Sequence, residues 1–405
     1  MLCGRLFEQH SLVDERELFR TRVGALAGAL QRAWPRGTGY AGDGSVEADL
    51  HTWVAARVRL RVENLQGQVA ALEAALDGGQ RLDLCWRGYE AATLACEPLF
   101  EECLAVRQGV IAREAQLDSG ICAIADRLLA EICEDADISW RRFTVLGAAE
   151  AYTHLTDVIR VRFPDLSVWD LPVAAHELGH HAAMKLERPT QGLAQSPFRE
   201  LVAALPDECE QALEEYFADA FAALTVGPAY TCTCLLMRFE PHAAGEDGTP
   251  APDRDRAYVL LGVLRRAVAE GVRTHEAHAS AKLDQVAHLW DASFRATHGD
   301  GAPQADERLD RLVARLYAKL REALPSSARY RDSVHERARE LAPKLLGPNY
   351  MAGPDAGGTV VEALNGAWLA HLEAGPDSGL RGRVTRNARR LMDALLGPVP
   401  AGSAT

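Results

Sequence analysis

The sequence contains no uninterrupted apolar run of about 18 residues, the length that a membrane-spanning helix needs. Its first residues, MLCGRLFEQHSLVDERELF, also lack the apolar segment of a secretory signal peptide. The net charge is -13, and no basic stripe of the kind found in nucleic-acid-binding proteins is present. We therefore expect a soluble, cytoplasmic protein that binds neither membranes nor nucleic acids.

Lysine is scarce, and cysteine pairs at disulfide or zinc-finger spacing are missing. Only four of the 44 Lys and Arg residues are lysine, and the arginines are scattered among acids, which is typical of a high-GC bacterial genome. The nine cysteines are an odd number, and most lie within apolar helical patterns. The C-x-C of Cys232 and Cys234 has no second pair after it. These features favour buried free thiols in a reducing cytosol.

Apolar residues make up 48% of the 405 residues, enough to form a sizeable core, and most of them recur at helical spacing. The clearest pattern is the stripe of Leu60, Leu65, Val69, Leu72 and Leu76 within residues 45–76. This helix either packs inside the chain or pairs with a second copy, which would make a homo-oligomer through the N-terminal helices. Further helices are predicted at 13–34, 81–116, 119–135, 256–272, 275–297, 304–323 and 328–346, with two more after residue 358.

Two segments show the residues and the alternation of strands, namely 139–147 and 157–163. The second could be an edge strand that pairs with an extended peptide, or it could simply pack on the helix that follows. The fold class expected is therefore predominantly α with a small β-sheet. We divide the chain into a helical region at 1–137, a core at 138–240 and a second helical region at 241–405.

The segment VAAHELGHHAAMK at 173–185 predicts an apolar helix that carries an unusual amount of imidazole. Asp170 can cap it, and it should end before Pro189. His176 and His180 are four residues apart, so their side chains share one face and can converge on one ion. Together with Glu177 they form H-E-x-x-H, which supplies two zinc ligands and a general base.

Gly179 lies inside this helix although glycine disfavours helix formation. A glycine at this position suits a close approach by another backbone or by a substrate.

A second helical pattern, ALEEYFADAFAAL at 212–224, carries carboxylates on an otherwise apolar face. Glu215 and Asp219 are again four residues apart, and their burial would be costly without a cation or a hydrogen-bond donor. Glu215 would bind the metal, and Asp219 would accept the N–H of a ligand histidine. The alternative is that these carboxylates, with Glu214, form a solvated face.

The two motifs, AAHELGHH and EEYFADAFA, resemble those of the gluzincin zinc metallopeptidases, and most closely the prenyl-protein and heat-shock zinc peptidases. The resemblance covers about 70 residues, from 157 to 230. It implies a zincin-like α+β core at 138–240, with His176, His180 and Glu215 as zinc ligands, Glu177 as catalytic base and Asp219 behind a ligand. Those families have membrane-spanning helices, so their substrate class does not carry over.

The sequence therefore predicts a zinc metallopeptidase that acts on a peptide or protein substrate. The ion would polarise a water, and Glu177 would take its proton and return it to the leaving amine. The candidates for a donor to the oxyanion are His154, Tyr216, Tyr230 and His242, with Tyr230 preferred. The alternative is a non-catalytic helical interaction protein with a structural or vestigial zinc site. A fourth protein ligand would favour that alternative.

Two other histidine features are weaker. His181 points about 100° away from His180 and is expected to pack or to support the site. His275 and His278 are three residues apart and could bind metal, but a solvated or loop-adjacent pair fits better.

Overall fold

A computed structural model of the chain describes residues 2–33, 46–140, 143–153, 157–162, 167–190, 193–241, 251–298, 306–348, 350–351 and 358–396. These ranges contain fourteen α-helices and five short strands, of which three form one sheet. The predicted fold class, predominantly α with a small β-sheet, is confirmed. Across the described helices, none is both long enough and apolar enough to cross a membrane.

The chain divides into two compact units, and the first comprises residues 1–115 and 153–158. It contains three long helices: α1 (Leu2–Ala33), α2 (Val46–Asp77) and α3 (Leu82–Glu114). Leu65, Val69 and Leu76 of the predicted stripe are buried, whereas Leu60 is 70% exposed. The stripe of α2 therefore packs inside the chain, against α1 and α3.

The second unit comprises residues 116–152 and 159–405 and carries both sequence motifs. Its helices are α4 (Ile121–Ala136), α5 (Val173–Lys185), α6 (Pro197–Ala204), α7 (Glu210–Thr225), α8 (Pro228–Thr233), α9 (Asp253–Gly271), α10 (Glu276–His298), α11 (Glu307–Ala323), α12 (Asp332–Leu346), α13 (Val360–Ala374) and α14 (Ser378–Leu396). A π-helical turn at Cys234–Arg238 and a 3-10 turn at Ser326–Ala328 complete it. The short α6 and α8 were not predicted, because eight and six residues give too few repeats for a helical period.

Helix α7 lies in the core of this unit, in contact with α5 on one side and α9 on another. Nearly all its residues from Leu213 to Thr225 are buried. The end of α7 is fixed by α13: the Asn365 side chain donates to the Val226 carbonyl at 2.7 Å and accepts from the Ala229 N–H at 3.1 Å. Since Asn365 is 2% exposed, it satisfies peptide groups that would otherwise be buried without a partner.

The sheet consists of β1 (Thr144–Gly147), β2 (Ala151–Thr153) and β3 (Val158–Arg162), in the order β1-β3-β2. β1 runs parallel to β3, with Thr144 opposite Ile159. Each predicted segment contains a strand, but the strand in 139–147 covers only Thr144–Gly147. The interpretation of 157–163 as an edge strand is wrong, because β3 lies between β1 and β2. The two edge strands are β1 and β2, and β2 was not predicted because its three residues are too few for an alternating pattern.

A separate antiparallel pair, β4 (Arg188–Thr190) and β5 (Leu193–Gln195), follows α5. The predicted region boundaries at 137 and 240 both fall inside the second unit, and α4 belongs to that unit. The division into three regions stays a prediction. Most of the loop predicted at 240–255 lies outside the described residues.

Candidate metal site

The packing of α5 against α7 brings the two sequence motifs together. At the crossing, a Cβ on Gly179 would lie 2.6 Å from the Ala218 Cα and 2.9 Å from the Ala218 carbonyl oxygen. Any residue larger than glycine would therefore push the helices apart. The close backbone approach predicted at Gly179 is confirmed, and the partner is the backbone of α7.

Three predicted ligands meet next to this crossing. The Nε2 atoms of His176 and His180 are 3.2 Å apart. Glu215 lies across from them, with Oε2 at 3.4 Å from the His176 Nε2 and Oε1 at 3.7 Å from the His180 Nε2. One ligand atom from each residue lies within 4.8 Å of the others, so this group could hold a metal ion.

These distances fit a small tetrahedral ion. Zinc binds imidazole nitrogen and carboxylate oxygen at about 2.0–2.2 Å, so neighbouring ligand atoms of a tetrahedron are about 3.3 Å apart. The observed separations of 3.2 to 3.7 Å lie close to that value. Within the described residues, the group has three members and no fourth side-chain ligand. A bound ion would therefore have a coordination position that these side chains do not fill.

A carboxylate contacts the outer nitrogen of each histidine. The His176 Nδ1 is 2.9 Å from an Asp219 oxygen, and the His180 Nδ1 is 3.1 Å from a Glu214 oxygen. These contacts favour a proton on each Nδ1, which leaves the Nε2 lone pairs directed at the ion. Asp219 thus lies where the sequence predicted. The Glu214 contact was not predicted, because neighbouring acids at 214 and 215 look alike in the sequence.

Arg256 of α9 is the site residue that the sequence did not indicate. Its guanidinium donates to both Asp219 oxygens, at 2.8 and 2.9 Å, and lies 3.3 Å from a Glu215 oxygen. Its charge also lies over the Phe239 ring, 5.0 Å from the centroid. One of forty scattered arginines carries no local pattern that could have identified it.

Charges in the site explain the protonation of its groups. Burial is the largest single influence on His176 and lowers its pKa, but the hydrogen bonds to Asp219 and Glu215 and the Asp219 charge together outweigh it and raise the pKa to about 10. Burial is the largest single influence on Glu215 and raises its pKa, but the hydrogen bond from His176 and the charges of His176, Arg256 and His180 together lower the pKa to about 2. Metal binding would therefore displace a proton from His176.

Counting charges indicates what the site can accommodate. Glu177, Glu215 and Asp219 contribute three negative charges, and Arg256 contributes one positive charge. With both imidazoles neutral, two negative charges remain before the partly exposed Glu214 is counted. A divalent cation would neutralise them, as a buried cluster requires.

Glu177, the predicted base, is only 8% exposed and is held by the sheet. Its Oε2 accepts a hydrogen bond of 2.6 Å from the main-chain N–H of Tyr152 in β2. The edge strand and the H-E-x-x-H helix are thus joined at the candidate base.

The Tyr230 hydroxyl lies on the Nδ1 side of His176, whereas an oxyanion donor would be needed on the Nε2 side, next to the possible metal position. Tyr230 is 1% exposed, and its hydroxyl donates to Asp219 at 2.5 Å and lies 3.1 Å from the His176 Nδ1, on the outer side of the ring. Burial and the nearby Asp219 charge raise the pKa of Tyr230 well above its ordinary value. This position suits a residue that orients Asp219 and His176.

Tyr216, His181 and His278 are not members of the metal group. Tyr216 is buried, with an environment dominated by burial and by Asp255. His181 contacts the Tyr152 hydroxyl at 2.9 Å and the Ser139 carbonyl at 3.3 Å, so it supports the helix as expected. His278 contacts His335 at 3.0 Å, outside the metal group. His154 and His242 lie outside the described residues.

Comparison of the chain with protein-family models, with curated proteins and with solved structures finds no match. The geometry of the site therefore carries the functional argument alone.

We predict that Gly179→Ala abolishes or strongly weakens metal binding, because the new Cβ would separate the two ligand helices. The cost in unfolding free energy should be about 1–3 kcal/mol. Metal content by mass spectrometry and thermal unfolding test this. Gly67→Ala in α2, where a Cβ meets nothing within 4 Å, is the matched control and should be neutral or slightly stabilising. Unchanged metal affinity in Gly179→Ala would contradict the packing argument.

We also predict that Glu215→Ala loses the metal, since it removes the only carboxylate of the ligand group. Glu214→Ala should keep the metal but with an affinity about 10–100-fold lower, because it removes only the contact to the His180 Nδ1. Metal titration of both purified variants measures the difference. Stoichiometric metal in Glu215→Ala, or the reverse order of the two effects, would assign the ligand to Glu214.

Proposed function

We propose that the chain is a zinc-dependent peptidase that hydrolyses peptide bonds in a peptide or protein substrate. The observation that carries the proposal is the three-membered group of His176, His180 and Glu215, with Glu177 adjacent on the same helix. Among the described residues the group has no fourth side-chain ligand. Catalytic zinc sites keep a coordination position open for water, whereas structural sites are closed by a fourth protein ligand.

Zinc is the metal that the ligand set fits best. Two imidazoles and one carboxylate are the ligands of a common class of catalytic zinc sites, whereas calcium and magnesium prefer oxygen. Bound there, zinc would polarise a water molecule and lower its pKa toward about 7.

The chain's own residues then have distinct tasks. Asp219 and Glu214 keep the two imidazoles oriented through their outer nitrogens, and Arg256 holds Asp219 in place with two hydrogen bonds. Glu177 accepts the proton of the attacking water and passes it to the leaving amine. The N–H of Tyr152 fixes one oxygen of Glu177, so proton transfer falls to the other oxygen.

The substrate would lie along β2. This strand is at the edge of the sheet, and its main chain contacts Glu177 directly. An extended peptide that pairs with an edge strand brings its own main-chain amides to the strand, and here it would bring them to the base.

We place the enzyme in the cytosol. The structure shows no disulfide among the eight described cysteines, of which seven are buried and Cys209 is exposed. Free thiols are typical of a reducing compartment.

A non-catalytic protein with a structural zinc site is the second candidate. The feature in its favour is the strong fixation of the cluster by Arg256, which is compatible with a purely structural role. Glu177 argues against it, because a structural site has no use for a carboxylate held beside the ligands.

We predict that Glu177→Gln retains zinc and stability but loses hydrolysis by about a hundredfold or more, because the amide cannot accept a proton. The measurement is the appearance of zinc-dependent new N-termini in a cell lysate treated with wild type or variant. Glu187→Gln, an exposed position just after α5, is the matched control and should cleave like wild type. Equal cleavage by wild type and Glu177→Gln would exclude this mechanism, and zinc-bound wild type without any cleavage would favour the structural role.

A further inference from the structure

A second polar cavity of the same unit lies away from the metal site, where α9 ends and the 3-10 turn begins. It has a volume of about 700 Å³. Four arginines line it, and we refer to it as the arginine pocket. The polar and charged residues that line it are Glu270, Arg273, Tyr317, Arg321, Ser326, Ser327, Arg329, Tyr330 and Arg331.

The charge of the arginine pocket is strongly positive in a chain whose net charge is -13. Glu270 is its only acidic lining residue, and Arg321 already contacts both Glu270 oxygens at 3.2 Å. Three further guanidinium groups therefore share one cavity without a lining carboxylate of their own. Bringing like charges together costs free energy that an anionic ligand would recover.

Arg329 supplies a more specific observation. Its Nε atom is buried and has no hydrogen-bond partner in the described part of the chain. A buried N–H of a charged group is normally satisfied, so the Arg329 Nε is an unused donor in a residue that lines the cavity. The tyrosine and glutamate beside it, Tyr317 and Glu270, interact with each other, and both feel the Arg329 charge.

The backbone around Arg329 is held rigidly. The Tyr330 N–H donates to the Leu224 carbonyl at 2.7 Å. Gly271 allows the end of α9 to approach this segment, since a Cβ there would lie 2.5 Å from the Tyr330 carbonyl oxygen. Arg331 donates to the Ser327 carbonyl. The cavity is thus shaped by fixed main chain rather than by surface side chains alone.

We propose that the arginine pocket binds a phosphate group, either free or as the monoester of a small molecule. Guanidinium groups are planar forks that match phosphate oxygens with paired hydrogen bonds. A volume of about 700 Å³ is within the range of small-molecule sites. The inference goes beyond the proposed peptidase and does not depend on it.

A neighbouring cavity shows why the arginine pocket is singled out. The groove of about 720 Å³ between α9, α10 and α11 is lined by Arg254, Arg265 and Arg266, but also by Asp291 and Asp310. Its charges nearly cancel, so it offers an internal control. Arg266 is an exposed residue of α9, the helix whose last turn lines the arginine pocket. It lines the groove and not the arginine pocket.

The test is calorimetric titration of the full chain with inorganic phosphate and, separately, with adenosine monophosphate, at constant ionic strength set with chloride. Wild type should bind at least one of them with one-to-one stoichiometry. Arg329→Gln and the exposed Arg273→Gln should each weaken binding about tenfold or more, as the loss of a charged hydrogen bond predicts. Arg266→Gln should bind like wild type.

The two ligands distinguish the source of the phosphate. Binding of both through Arg329 supports a phosphate ester, and binding of inorganic phosphate alone supports the free anion. Absence of saturable binding by wild type overturns the proposal, and so does equal weakening by all three variants, which would mean general charge attraction. Circular dichroism of each variant confirms that a loss of binding is not a loss of fold.

Discussion

The contact between Gly179 and Ala218 is the constraint on which the rest of the site depends. It lets α5 and α7 pack backbone to backbone, and at this distance His176, His180 and Glu215 come within reach of one ion. Each helix alone offers two side chains four residues apart. Their close crossing joins the two pairs into one cluster, in which His176, His180 and Glu215 could hold a metal ion and Asp219 contacts the outer nitrogen of His176.

Electrostatics decide what that cluster needs. Asp219 is fully buried, and it keeps its charge because Arg256 and His176 surround it. Burial alone would raise the pKa of Asp219. The Arg256 charge and the hydrogen bonds from Arg256 and His176 lower it, so that the pKa lies well below its ordinary value. Arg256 and the protonated His176 contribute two positive charges against three carboxylates, and metal binding would remove the proton from His176. The charge of the cluster is therefore compatible with a bound metal cation, which the group of His176, His180 and Glu215 could hold.

The metal group could be read from the sequence because its information is local. The spacing of His176 and His180 places them on one helix face. Gly179 stands out in the sequence because glycine disfavours the interior of a helix. Glu215 and Asp219 follow the same rule on α7. Each of these residues is explained by the period of one helix.

The residues that were missed depend on long-range packing. Arg256 reaches the site from a helix 37 positions after Asp219, and nothing near it in the sequence marks its partner. Tyr230 was expected to face the substrate, but the turn after α7 directs its hydroxyl to the outer side of His176. The edge strand β2 is only three residues long, and its position in the sheet is set by its pairing with β3. The long helices were predictable from their period, whereas the order of the strands was not.

X-ray absorption at the zinc edge of the metal-loaded protein tests the central claim most directly, because it reports the ligands of the ion itself. The account predicts one zinc per chain, with the multiple-scattering signature of two imidazoles, low-atomic-number ligands at about 2.0–2.2 Å and no sulfur. A spectrum without imidazole scattering, or with sulfur ligands at about 2.3 Å, would place the ion elsewhere and contradict the claim.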